Sequence, residues 1–301
     1  MRHVAIVTDS TACLTPELAR EHGIEIVPTE MLFEGRVYRD GVDPPGDFYR
    51  HLRQTKALPK TSAPPPGLFL EAYRRAGERA KSVLCITLPA NLSSTHQSAQ
   101  QAALLAKDEL PGVAIRCVAA PAVAAGQGLV ALEAERAARA GMTLDKVAKL
   151  VEELAPQVHF FAVLDTLEYL AKGGHVPRAA AWLGDFVGVK PILTATHGKV
   201  ERLSQAQSKR SGVNKMLRMM QERNPGALPI RALVMHADAP DEAEDFLAQI
   251  KGKFPCESVQ VTQFTPVMGA HSGPGVVGVA FRVVLPADAA PPPLSAAGAT
   301  R

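Results

Sequence analysis

The run Val83-Leu-Cys-Ile-Thr-Leu88, with its continuation to Gln101, constrains the fold more than any other stretch of the chain. Only Thr87 interrupts its apolar character, so neither face is left for water, and a strand of that kind is covered on both sides as in a parallel α/β sheet. After the turn Pro89-Ala-Asn-Leu92, the hydroxyls of Ser93, Ser94 and Thr95 open a helical pattern that runs to about Lys107. Hydroxyls at that point meet unpaired backbone N–H groups and the positive end of the helix dipole. They form either an ordinary N-cap or the outline of an anion site.

The rest of the first half repeats the strand-then-helix alternation. Met1 to Thr8 reads as a first strand, and Thr8-Asp9-Ser10-Thr11 delivers polar side chains at its carboxyl end, where open α/β sheets place their ligands. A helix over Pro16 to Glu21 closes at Gly23, a strand starts at Ile24, and Met31 to Tyr38 is a hairpin turning at Glu34-Gly35. Pro59 to Pro66 is a proline-rich loop whose stiffness holds Thr61 and Ser62 in place, before a helix over Gly67 to Lys81. A strand at Val113 to Val118 and helices over Gly128 to Ala140 and Thr143 to Ala155 complete a parallel, doubly wound α/β domain spanning residues 1–156.

From Val158 the pattern changes. A strand to Leu164, a short helix over Asp165 to Lys172 stopped by Gly173-Gly174, and a second helix over Arg178 to Asp185 lead to a hairpin turning at His197-Gly198. A helix over Gly212 to Arg223, a strand over Ile230 to Met235, a helix over Asp241 to Lys251 and a strand over Cys256 to Phe264 follow. Gly269 to Gly275 is a glycine-rich loop carrying His271, and a strand runs from Val276 to Leu285. These elements predict an α+β domain over 157–285. Residues 286–301, small and proline-rich without periodicity, are expected to be a disordered tail.

Thirty-three basic against 30 acidic residues give a net charge of +3 with no long basic block, which argues against nucleic acid as a partner. The four cysteines are widely spaced with no CxxC, so the spacing suggests neither a zinc site nor a redox pair. No run approaches the ~20 apolar residues of a membrane span, and the N-terminal apolar stretch is too short for a signal peptide. A cytoplasmic protein without stable membrane insertion is expected. No P-loop, GxSxG or HExxH motif occurs and no GxGxxG follows the first strand, so no cofactor, metal or catalytic residue is expected. The hydroxyls of Thr61, Ser62, Ser93, Ser94 and Thr95 outnumber what one nucleophile needs and suit a bound carboxylate, with His271 as a further donor. The alternative is an acyl hydrolase with Ser93 as nucleophile, His271 as base and Asp9 as its orienter.

Six pieces of the chain, in order, resemble the DegV family of bacterial fatty-acid-binding proteins. They are Asp9-Ser10-Thr11; Thr61-Ser62; Leu92-Ser93-Ser94-Thr95 with Gln97-Ser98-Ala99; Leu164 to Leu170 with Lys172-Gly173-Gly174; Lys190-Pro-Ile-Leu193; and Gly269 to Gly275. The resemblance covers residues 4 to 284. It implies a two-domain α/β fold with a lipid tunnel between the domains, holding a long-chain fatty acid such as palmitate. Carried over by position, Thr61, Ser93 and His271 would bind the carboxylate, with Ser62 and Ser94 nearby. It also implies that the protein is a binding subunit rather than an enzyme, presenting its ligand to a separate ATP-dependent fatty acid kinase that makes the acyl phosphate. The chain departs from the family pattern at Ser94, where glycine is common, at His96, where an aromatic often stands, and at His175, which replaces an arginine. Ala119 to Gly126 also lacks the Asp-Ser and Ser that many relatives carry.

Overall fold

The structure, a computed structural model, describes residues 3–55, 57–174, 176, 182 and 188–286. The expected helix over Arg178 to Asp185, the position of His175 and all but the first residue of the tail lie outside the described residues.

Strand β1 (Ala5–Asp9), β2 (Glu25–Val27), β6 (Ser82–Thr87) and β7 (Ala114–Ala119) form a parallel sheet in the order β2-β1-β6-β7. Helix α1 (Pro16–His22) links the first two. Thr15 caps its start by accepting Leu18 N–H at 3.2 Å, Pro16 fills the first turn, and Gly23 ends it at φ 64°. Period-two alternation sends Ala5 and Val7 to one face of β1 and Val4 and Ile6 to the other. The first face packs on α3 (Pro66–Gly77) and α4 (Thr95–Glu109) through Phe69, Tyr73, Ala99 and Ala102. The second packs on α5 (Ala125–Arg139). The doubly wound arrangement follows from strands that are apolar on both faces.

Between β2 and α3 the chain makes a small antiparallel sheet. β3 (Glu30–Phe33) and β4 (Arg36–Arg39) are the expected hairpin, with Glu34 and Gly35 both at positive φ. Helix α2 (Pro45–Gln54) follows. The third strand, β5 (Lys60–Ser62), corrects the reading of this stretch as a loop: Thr61 pairs with Met31 and Ser62 with Glu30. Hydrogen bonding to β3, not proline stiffness alone, fixes Thr61.

The second half carries a mixed six-stranded sheet in the order β10-β9-β8-β13-β11-β12. Its strands are β8 (His159–Val163), β9 (Lys190–Thr196), β10 (Lys199–Ala206), β11 (Ile230–His236), β12 (Cys256–Gln263) and β13 (Val277–Val283). Before it, α6 (Leu144–Leu154) packs beside α5, and α7 (Glu168–Lys172) follows β8. Helices α8 (Lys209–Arg223) and α9 (Pro240–Lys253) cover one face, with Phe161, Val163, Met216 and Phe246 in the contact. The other face, with Phe160, Ala162, Leu233 and Ala280, joins the apolar cluster that also contains Ile6, Leu84 and Val130 of the first half.

Helix α5 therefore lies between the two sheets and differs from its expected form, a helix from Gly128 with charges along one side. It begins at Ala125 and is buried almost all round. Its small residues explain this: a Cβ at Gly128 would meet the Ala12 carbonyl at 2.4 Å, and one at Gly126 would touch Val158 and Ala280. Its glutamates Glu133 and Glu135 are buried while Arg136 and Arg139 reach the surface, and Glu133 accepts from Arg231 of β11 and Arg282 of β13, each at 2.6 Å.

Candidate functional site

A cavity of about 410 Å³ opens where the two sheets and the small β3–β5 sheet converge. Its lining is mostly apolar: Leu88, Leu92 and Val123 from the first half, with Phe160, Ala162, Leu164, Leu170, Leu193, Val200, Phe264, Val267 and Met268 from the second. Polar side chains join them from Thr11, Thr29, Thr61, Ser62, Ser93, Ser94, Thr95, His271 and Ser272. No Asp, Glu, Lys or Arg lines it among the described residues. The volume is within the ~300–1,000 Å³ of small-molecule pockets.

All six hydroxyl and imidazole groups expected from the sequence line this one cavity, brought there by separate elements. Thr61 comes from β5, and its Oγ1 lies 3.2 Å from Nε2 of His271. Ser93 and Ser94 come from the turn after β6. Ser94 is the residue before α4 but its side chain makes no capping bond; Ser93 Oγ instead accepts the Thr95 N–H at 3.2 Å and shares a 2.9 Å bond with Thr95 Oγ1. Ser62 Oγ donates to the Glu30 carbonyl at 3.4 Å.

His271 sits on a helix rather than in a glycine-rich loop. α10 (Pro266–Ser272) is capped by Thr265, whose side chain accepts from Met268 N–H, and Pro266 stands in its first turn. The glycines serve packing around this helix. A Cβ at Gly269 would lie 2.4 Å from the Tyr49 hydroxyl, and one at Gly173, on the neighbouring segment after α7, would lie 3.1 Å from His271 Nδ1. At Gly273, φ is 75° and a Cβ would lie 2.3 Å from the Tyr169 ring. Tyr49 in α2 donates to the Phe264 carbonyl at 2.9 Å, pinning the segment that enters α10.

Two buried carboxylates brace the cavity from behind. Asp9 accepts the Thr11 N–H at 3.1 Å, the Thr11 hydroxyl, the Leu88 N–H at 3.2 Å and Gln127 Nε2 at 3.0 Å. These partners correct its reading as the orienter of a catalytic His271, because its acceptor positions are committed to the ends of β1, β6 and α5. Asp40 accepts the hydroxyls of Ser10 at 2.9 Å and Thr29 at 2.8 Å, and the Val267 N–H of α10 at 3.1 Å. Burial raises the carboxyl pKa of both above the ordinary value, against the opposing effect of their hydrogen bonds.

Sequence reasoning missed Thr29, Ser272, Gln127 and Asp40. A glutamine between two glycines of a buried helix was a usable signal; the others are brought in only by tertiary contact. The expected helix over Asp165 to Lys172 begins only at Glu168, leaving Asp165 to pair with Lys190 at 2.9 Å and Lys209 at 3.2 Å. His96 turns its Nδ1 to Thr87 Oγ1 at 3.0 Å and is not among the cavity residues; burial lowers its pKa. No cluster of three or more metal-ligating side chains and no helix long and apolar enough to cross a membrane occurs among the described residues.

A doubly wound parallel sheet joined to a mixed six-stranded sheet, with a cavity whose described lining combines apolar side chains, hydroxyls and His271, defines a class of α/β proteins with an internal cavity. The sequence profile described as "Uncharacterised protein, DegV family" matches residues 3–283. The chain belongs to the DegV family. It is 34% identical over 280 residues to a DegV domain-containing protein of Streptomyces coelicolor, covering 92% of this chain and 98% of that one. Among solved structures it is similar to a DegV family protein from Thermus thermophilus described for its fatty acid binding. That likeness has 30% identity and a TM-score of 0.85, over 94% of this chain and 100% of that one. DegV of Bacillus subtilis, described as a fatty acid binding protein, is 26% identical with a TM-score of 0.82 over 94% and 100%.

Proposed function

We propose that this protein binds one long-chain fatty acid such as palmitate between its halves, residues 1–156 and 157–285. The carboxylate is held by Thr61, Ser93 and His271, with Ser62 and Ser94 close by. The observation that carries this reading is the pairing of Thr61 with His271 in a mostly apolar cavity that no Asp, Glu, Lys or Arg lines among the described residues. Neutral donors suit a carboxylate that must later be exposed, since no ion pair has to be broken to release it. Burying about 14 methylenes at ~0.8 kcal/mol each supplies on the order of 11 kcal/mol before ordering and desolvation costs.

The reading makes the protein a binding subunit rather than an enzyme. The acyl chain is covered, the head group stays near the cavity mouth, and an ATP-dependent kinase acts on it there. The fatty acid binding described for the Thermus thermophilus and Bacillus subtilis relatives supports the ligand class. Mass spectrometry tests it. Protein purified without denaturant and then unfolded should release about one equivalent of free fatty acid, and a fluorophosphonate should leave Ser93 unmodified. A covalent adduct at Ser93 with no released lipid would favour a hydrolase instead.

A further inference from the structure

Cys85 and Cys117 are far apart in sequence, but the first sheet makes them neighbours. Strands β6 and β7 pair in parallel with Cys85 directly opposite Cys117, so both side chains leave the same face of the sheet. Neighbouring strands run about 4.8 Å apart, inside the ~4.4–6.8 Å Cα separation that a disulfide spans. The two thiols interact with each other, and the Tyr73 hydroxyl lies 3.5 Å from Cys117 Sγ and donates to the Ala99 carbonyl of α4 at 3.0 Å. Cys85 is fully buried, while Cys117 is partly accessible. The other cysteines have no sulfur partner: Cys13 Sγ donates to the Thr11 carbonyl and Cys256 Sγ to the Phe254 carbonyl.

We propose that Cys85 and Cys117 are a reversible oxidation site, a dithiol that closes to an intrachain disulfide on the sheet face under the helix that follows Ser93. Hydrogen peroxide is the oxidant. The sulfur of Cys117, the less buried residue of the pair, attacks the peroxide, the O–O bond breaks, and sulfur gains a hydroxyl as one water leaves. Cys85 sulfur then attacks that sulfenic acid, the S–S bond forms, the S–O bond breaks, and a second water carries away the Cys85 proton. In sum, two thiols lose two hydrogens and two electrons, and the peroxide is reduced to water. The asymmetry of the pair fits these roles. The hydrogen bond from Cys85 lowers the Cys117 pKa, whereas burial raises that of Cys85, so Cys117 is the thiolate former and Cys85 the resolving thiol. Sequence spacing concealed the pair because the two cysteines meet only through strand register.

The test uses the full chain. Purified protein is treated with hydrogen peroxide, its remaining thiols are counted after denaturation, and it is then mapped by non-reducing peptide mass spectrometry. Titratable thiols should fall from the four in the sequence to two, return to four with dithiothreitol, and map to a Cys85–Cys117 linked peptide. In Cys85→Ser, oxidation should stop at a Cys117 sulfenic acid that dimedone traps. Retention of all four thiols under peroxide, loss mapped to Cys13 or Cys256, or only interchain links would overturn the proposal.

Discussion

The carboxylate of Asp40 accepts the backbone N–H of Val267 at 3.1 Å, tying the loop after β4 to the first turn of the helix that carries His271. The same carboxylate takes the hydroxyls of Ser10 and Thr29, so one buried side chain joins β1, β3 and α10. His271 is thereby held against Thr61 by a contact that is remote in sequence from both. Removing the carboxylate leaves the buried Val267 N–H and one of the paired Ser10 and Thr29 hydroxyls without an acceptor. Asp40→Ala should therefore lower stability by roughly 2–4 kcal/mol and weaken fatty acid retention. Urea unfolding and lipid extraction of the same preparation check both.

Asp40 also predicts a pH dependence. Burial raises its folded-state pKa above the ordinary 3.8. A carboxyl with a raised folded pKa stabilises the fold most below its unfolded pKa, and that contribution is lost as pH rises through the folded value. Asp40→Asn removes the titration while keeping an acceptor oxygen. The stability of Asp40→Asn relative to the unsubstituted protein should rise as pH is increased from about 4 toward neutrality, measured as the difference in Tm at each pH. A difference that is constant with pH would contradict the assignment.

Gly173 tests the placement of the imidazole without removing a polar side chain. A Cβ there would stand 3.1 Å from His271 Nδ1 and 3.0 Å from the Tyr169 carbonyl, tight enough to push the ring. Gly173→Ala should reduce fatty acid affinity several-fold while changing stability by no more than about 1 kcal/mol, because the site lies away from the main core. Isothermal titration and thermal unfolding separate the two effects.

The buried network at the far end of α5 predicts the opposite pattern. Glu133 is the shared acceptor of Arg231 and Arg282, and all three side chains are almost wholly buried. Glu133→Leu leaves two guanidinium groups without their common counter-charge and should cost about 3–5 kcal/mol of stability. In denaturant titrations the midpoint should drop, while lipid bound per folded chain stays unchanged.

Much of this was legible because strand and helix alternate in the first half and because polar residues cluster after apolar runs. Asp9-Ser10-Thr11 and Ser93-Ser94-Thr95 both follow β-strands that are apolar on both faces, and both reach the cavity. The hairpins turned where Glu34-Gly35 and His197-Gly198 indicated. What stayed hidden was set by pairing between distant segments. Four residues between Pro59 and Pro64 give no periodicity, so β5 became visible only through its ladder to β3. The helix carrying His271 had a legible start, Thr265-Pro266, but the glycines after it suggested a loop; they are there because Tyr49 and Tyr169 leave no room for a Cβ. Asp40 carried no local signal at all.

The central claim concerns where the ligand's two ends lie, and a crystal structure of the palmitate-loaded protein measures that directly. The account predicts carboxylate oxygens within about 3.2 Å of Thr61 Oγ1, Ser93 Oγ and His271 Nε2, with the acyl chain running between Phe160, Leu193 and Val267. A carboxylate bound at a lysine or arginine elsewhere, or a chain lying outside that cavity, would contradict it.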